Sequence, residues 1–226
     1  MTIKIEYTGK LSSKDGVKCL GYGGSGYGKT RLIATAPRPI VLSAEKGLLS
    51  LKRNNVPYIQ INNIKDLEEA HAWATKSAEC RNYDTIGLDS VSEIAEQALA
   101  AETVKTKDPR KLYPAYQATM MDILRDFRDM PQKHIYFIAK ETRLTGADNT
   151  IKAGPSFPGN KLPEAAPYFF DQVFQIVNWK DPATGRVEIA LKCRGDNTSE
   201  GKDRSGMLEL WEPYDLSAMF RKIMAG

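Results

Sequence analysis

Eight consecutive residues, Gly23-Gly24-Ser25-Gly26-Tyr27-Gly28-Lys29-Thr30, constrain this chain more than any other stretch of it. They follow the pattern G-x-x-x-x-G-K-[ST] in full. Glycines let the backbone curl until several N–H groups face one point, which makes a nest for an anion. The apolar run Val17 to Tyr22 before the loop reads as a strand. Lys29 to Ala36 after it reads as a helix, stopped by Pro37 and Pro39, whose positive end faces the same point. In that context the lysine reaches the β- and γ-phosphates of a nucleotide and the threonine hydroxyl ligates Mg²⁺. The expected ligands are therefore ATP and Mg²⁺. The expected binding segment is Gly23, Gly24, Ser25, Gly26, Tyr27, Gly28, Lys29 and Thr30, with Arg31 next to it.

Beyond the loop, apolar runs and helical patterns alternate. Ile40 to Ala44, Thr85 to Leu88 and His134 to Ala139 read as buried strands. Asp66 to Lys76, Val91 to Thr103 and Ala118 to Asp129 read as helices, the last with Met120, Ile123, Leu124 and Phe127 on one face. Val173 to Lys180 and Arg186 to Cys193 form a hairpin across Asp181, Pro182 and Gly185, and Met207 to Trp211 is strand-like. Asp215 caps a last helix carrying Leu216, Met219, Phe220 and Ile223. Two stretches read as loops: Lys105 to Tyr116, broken by Pro109 and Pro114, and Thr142 to Ala166, rich in Gly, Pro, Asn and Thr. Strands alternating with helices predict an α/β fold, a mostly parallel sheet flanked by helices with an antiparallel hairpin at one edge. No linker divides the 226 residues, so one domain is expected.

A Mg²⁺–ATP site also needs a carboxylate at the end of a buried strand. Asp89, after Thr85-Ile86-Gly87-Leu88, supplies one, and it equally suits the cap of the helix that follows. Hydrolysis needs an activated water. Glu45 ends the strand Ile40 to Ala44; on a strand next to the phosphate-loop strand it would stand at the carboxyl edge of the sheet, where open α/β sheets bind ligands. The bland alternative is a solvated loop acid.

These motifs resemble the RecA-like recombinase family. Val41-Leu42-Ser43-Ala44-Glu45-Lys46-Gly47-Leu48 is similar to that family's strand with the catalytic glutamate, and Leu88-Asp89-Ser90-Val91 to its Asp-Ser-Val end. His134 to Ala139 followed by Lys140 resembles the strand that ends in a polar γ-phosphate sensor, although a lysine there departs from the Gln or other polar residue common in the family. The resemblance covers about Val17 to Trp211. The absence of further domains, with Gly201 to Gly206 and Glu212-Pro213, is most similar to phage Sak-type single-strand annealing ATPases. It implies a homo-oligomeric ring or filament in which Lys192 and Arg194 reach a neighbour's γ-phosphate. Two cations at i and i+2 share one face of a strand; solvated surface charge explains them too. It also implies single-stranded DNA on two loops. One carries Lys105, Lys107, Arg110 and Lys111; the other carries Arg143, Lys152 and Lys161 with Phe157, ahead of Tyr168, Phe169 and Phe170. Basic residues beside a stacking aromatic suit single strands, although a solvated face and a core-packed element explain the same residues. A single-strand DNA-binding protein is a compatible partner.

Composition narrows the classes. A formal charge of +4 permits a phosphate-rich partner without demanding one. The 3 cysteines, Cys19, Cys80 and Cys193, are far apart and suggest neither zinc nor disulfides. Met1 to Lys10 lacks the apolar core of a signal peptide, and no run of 18 apolar residues occurs, so a cytoplasmic protein without membrane contact is expected. Two other readings share the motif: a helicase-type motor or loader working through protein partners, and a small-molecule phosphotransferase. The Asp-Ser-Val end and the basic pair argue against the latter.

Overall fold

The computed structural model describes residues 16–145 and 149–225. The expectation about Met1 to Lys10 lies outside them. The parallel strands β1 (Lys18–Gly23), β2 (Pro39–Ser43), β3 (Tyr58–Gln60), β4 (Thr85–Asp89) and β5 (His134–Thr145) join β6 (Ile151–Pro155), β7 (Gln172–Lys180), β8 (Val187–Lys192), β9 (Lys202–Asp203) and β10 (Trp211–Pro213) in one sheet. The strand order is β10-β8-β7-β1-β5-β4-β2-β3, with β6 on β5 and β9 on β7. β1, β2, β3, β4, β5 and β7 pair in parallel, while β8 pairs antiparallel with both β7 and β10 at one end.

Side chains alternate across the sheet, and each face has its own core. Leu20, Tyr22, Leu42, Leu88 and Phe137 face one way, under α2 (Ile64–Lys76), α3 (Val91–Lys105) and α4 (Pro109–Arg128). Cys19, Val41, Tyr136, Phe174 and Ile176 face the other way. They pack under α1 (Lys29–Leu32) and, after the short α5 (Lys161–Ala165), the C-terminal α6 (Leu216–Met224). The expected α/β class, with helices on both faces and an antiparallel edge, is the fold observed.

Several boundaries differ. The helix after the phosphate loop is α-helical only over Lys29–Leu32; Ile33–Thr35 tighten into a 3-10 turn before Pro37. Lys105 to Tyr116 is not a loop. α3 continues through Lys105 and α4 starts at Pro109, because proline fits the first helical position and Asp108 accepts from the Arg110 N–H at 3.0 Å. Pro114 lies inside α4 on its exposed side. Thr142 to Ala166 is not structureless either: β5 runs on to Thr145 and pairs with β6, and α5 follows. The strand expected at Met207 to Trp211 is instead Trp211–Pro213, since the Leu208 N–H is taken by the Asp203 carboxylate and the Leu208 carbonyl by Arg194. Finally, β2 is not next to β1; β5 and β4 lie between them.

Candidate nucleotide site

Four parallel strands end at one edge. Gly23 of β1 lies level with Lys140 of β5, Asp89 of β4 with Ile138, and Ser43 of β2 with Asp89. The turn from β1 to α1 therefore faces the chain leaving β2, β4 and β5. Gly26 and Gly28 hold φ of 81° and 83°, a left-handed backbone that side chains rarely adopt, and this curls the loop. Ser25 and Gly26 are exposed and Gly24 and Tyr27 to Thr30 partly so; the turn is open rather than collapsed. Tyr214 donates its hydroxyl hydrogen bond to the Gly28 carbonyl and carries the Arg31 guanidinium 5.7 Å from its ring centroid. That buttress was not legible beforehand, because Tyr214 is 186 residues from Gly28.

Within the loop, Lys29 Nζ donates to the Gly24 carbonyl at 2.8 Å. Burial pulls this ammonium below its usual range, opposed by the charges of Glu45 and Asp89. Thr30 Oγ1 donates to Asp89 Oδ2 at 2.7 Å. Asp89 is 3% exposed, and burial pushes its carboxyl up to about 6 against the Thr30 hydrogen bond. A buried carboxylate is costly unless a cation or further hydrogen bonds compensate its charge.

The residues after Asp89 each hold another part of the site. Ser90 caps α3 by accepting from the Glu93 N–H and donates its hydroxyl to Glu45 Oε1 at 2.5 Å. Ser92 Oγ accepts from the Lys140 N–H at 2.9 Å and donates to the Ser156 carbonyl at 2.7 Å. Glu93 Oε2 accepts from Lys140 Nζ at 2.8 Å, and the same ammonium lies 3.8 Å from Glu45 Oε1. The hydrogen bond to Glu93 raises the Lys140 ammonium above its ordinary range. Lys29, Thr30, Glu45, Asp89 and Lys140 are thus brought together. Ser90, Ser92, Glu93 and Tyr214 are site residues the sequence reading missed; the Ser90-x-x-Glu93 spacing was there to be seen, but it signals a helix cap.

Mg²⁺ suits hard oxygens and keeps part of its shell from water and phosphate. Thr30 and Asp89 offer that kind of incomplete set, and among the described residues no group of three or more His, Cys, Asp or Glu gathers as a self-sufficient metal site.

Other expected residues lie elsewhere. Lys192, on β8, is buried in an ion pair with Asp196 at 2.6 Å, and Arg194 is exposed with one guanidinium nitrogen on the Leu208 carbonyl at 2.7 Å. Lys105, Lys107, Arg110 and Lys111 are exposed around the α3–α4 turn, Lys105 paired with Glu102. Arg143 and Lys161 are exposed and Lys152 is half-buried. Phe157 is only 6% exposed and belongs to the core, which removes it as a stacking platform; Tyr168, 79% exposed, is the open ring nearby in sequence. A Cβ placed on Gly159 would stand 3.3 Å from the Tyr113 ring, so the segment between β6 and α5 touches the start of α4.

An open glycine-rich phosphate loop, a buried aspartate on its threonine and a glutamate and lysine across the same edge define the nucleotide site of a P-loop ATPase domain. The chain belongs to the AAA_24 family of AAA domains, which it matches over residues 15–205. Among solved structures it is similar to a KaiC-like protein from the hyperthermophilic archaeon Pyrococcus horikoshii. The two share 11% identity over 80% of this chain and 79% of that one, with a TM-score of 0.42. No curated protein matches it. Among the described residues, no helix is long and apolar enough to cross a membrane.

Proposed function

We propose that this chain hydrolyses Mg²⁺–ATP and uses that cycle to bind single-stranded DNA and promote its annealing or recombination, as the Sak-type proteins encoded by phages do. The observation that carries the ATPase half is the convergence of Thr30, Asp89, Glu45 and Lys140 on the mouth of the phosphate loop. The triphosphate of ATP lies on the loop's backbone N–H groups, and Lys29 turns from the Gly24 carbonyl to the phosphate oxygens. Thr30 and Asp89 would hold the metal ion, which would supply neutralisation of phosphate charge. Ser90 occupies Glu45 Oε1, leaving the rest of the carboxylate to orient a water and take its proton. The water oxygen bonds to the γ-phosphorus, the bridge to the β-phosphate breaks, and ADP and phosphate leave. Lys140 faces the charge on the γ-phosphate oxygens.

The DNA half is supported by continuity. The strand that carries Lys140 runs on as the β5–β6 ribbon with Arg143 and Lys152, and the contact of Gly159 with Tyr113 brings Lys161 toward Arg110 and Lys111. Turnover with and without oligothymidylate, at low and moderate salt, tests both halves. DNA-stimulated turnover and salt-sensitive binding are expected. Turnover without any DNA binding would point to a motor acting through protein partners. No turnover at all would remove the ATPase reading.

A further inference from the structure

The end of β4 and the start of α3 hold the catalytic edge together through four side chains within five residues: Asp89 takes Thr30, Ser90 takes Glu45, Ser92 takes the backbone of Lys140, and Glu93 takes its ammonium. All four contacts fix residues to which a role is assigned above, but Glu93 itself has been given none. Its spacing from Ser90 is that of a capping box, in which the glutamate reaches back to the cap's own N–H. Here Oε2 is given to Lys140, on a strand 47 residues away.

Lys140 is also the point where the sheet becomes the ribbon. Its N–H is held by Ser92, its carbonyl accepts from the Ser156 N–H at 2.8 Å, and Ser92 closes the triangle by donating to the Ser156 carbonyl. Ser156 is the residue directly after β6, which ends at Pro155. Any displacement of the ribbon therefore moves the Lys140 backbone against α3, while its ammonium stands between two carboxylates, 2.8 Å from Glu93 and 3.8 Å from Glu45.

We propose that Glu93 is a positioning residue that holds Lys140 off Glu45, so that Lys140 and Glu93 form the link through which an occupied β5–β6 ribbon sets the rate of hydrolysis. The inference rests on the functional reading above. Ser90 already takes one oxygen of Glu45. The Lys140 ammonium lies nearest that same oxygen, 3.8 Å away; drawn fully onto Glu45, it would neutralise the carboxylate that has to orient the water and take its proton. A second carboxylate as close as Glu93 gives the lysine a partner that leaves Glu45 available, and movement of the ribbon shifts Lys140 between the two.

The test is the variant Glu93→Gln, assayed for steady-state ATP turnover with and without oligothymidylate. The loss of a positioned acid–base contact predicts kcat lower by about tenfold, with KM for ATP within ~2-fold and little stimulation by DNA left. Glu93→Asp, which keeps the charge, restores part of kcat. In a Lys140→Met background, Glu93→Gln has no further effect, because the residue it restrains is gone; a helix-cap role would predict the same additional loss in both backgrounds. Wild-type kcat in Glu93→Gln, a change confined to KM, or additive losses in the double variant overturns the proposal while the ATPase reading stands. A wild-type chain without turnover removes both, and turnover that DNA never stimulates removes the link to the ribbon but leaves the positioning role to the kcat comparison.

Discussion

Asp89 shows at the scale of one residue how the site is set against stability. Its carboxyl rises from 3.8 to about 6 because burial disfavours its charged form. Between those values the folded chain keeps a proton that the unfolded chain has lost. The resulting stability is full below about pH 4 and is lost as pH rises through about 6. His134 acts in the opposite sense over nearly the same window. Burial lowers it from 6.5 to about 4, its Nδ1 accepts from the Val17 N–H, and its ring stacks on Phe220. Its stability is present above 6.5 and lost as pH falls toward 4, so the wild-type profile stays shallow. Asp89→Asn separates the two, since an amide can still accept from Thr30. In metal- and nucleotide-free protein at pH 7.5 it is expected to be more stable than wild type by about 2 kcal/mol. That corresponds to a Tm higher by ~4–8 °C, with the gap closing toward pH 4. Mg²⁺-dependent ATP binding should be lost in the same variant. An Asp89→Asn variant no more stable than wild type would show that the buried charge costs nothing. That Thr30 and Asp89 come together beside Lys29 was legible because the loop pattern and a carboxylate ending a buried strand recur where phosphate chemistry needs them. Phe157 was misjudged because nothing local separates a ring that stacks on a base from one that packs under a helix.

At the scale of elements, the β5–β6 ribbon replaces an expected loop, and its register sorts its charges. Arg143 stands opposite Ala153, and Leu144 opposite Lys152. Cross-strand partners share a face and neighbours along a strand do not, so Arg143 and Lys152 lie on opposite faces of the ribbon. A single strand of DNA laid along one face meets one of them. Arg143 is the exposed one. The Lys152 edge is tied down: the Ala153 N–H and carbonyl pair with Thr198 and Glu200, and Tyr22, one residue ahead of Gly23, donates to the Glu200 carbonyl at 2.6 Å. Arg143→Ala is therefore expected to flatten the slope of log affinity for oligothymidylate against log salt by ~0.7, the share of one single-strand phosphate contact. Lys152→Ala should leave that slope nearly unchanged. Equal losses would mean that the strand wraps the ribbon instead. The ribbon was hidden because Gly, Pro, Asn and Thr normally mark loops, whereas here Gly154 lets the strands close over Leu144 and Pro155 sits at the strand's end. Pro109 misled for a related reason: proline stops a helix it enters midway and suits one it begins.

Over the whole molecule, strand order carries what local pattern could not. Apolar runs identify strands but not their neighbours, and a three-residue strand such as β3 is too short to show a period. The sheet places β2 two strands further from β1 than expected, yet Glu45 still reaches the catalytic edge, because the Ala44 and Glu45 N–H groups both bond the Asp89 carbonyl as the chain leaves β2. On the other flank, Lys192 ends β8 and Arg194 follows it, separated from the phosphate-loop strand by β7. With strands about 4.8 Å apart, Lys192 starts ~10 Å to the side of β1. It is spent on Asp196 and Thr198. Arg194 continues past it, exposed, with one nitrogen on Leu208. We propose that an arginine so placed serves hydrolysis by entering another copy's site. Mixing two inactive variants decides this. Lys29→Ala keeps Arg194 but loses its own phosphate loop; Arg194→Ala keeps the loop but offers no guanidinium. If Arg194 acts between copies, the mixture with single-stranded DNA and ATP should turn over at about a quarter to a half of the wild-type rate, well above either variant alone. If Arg194 instead serves its own loop or only braces Leu208, the mixture does no better than the sum of its parts.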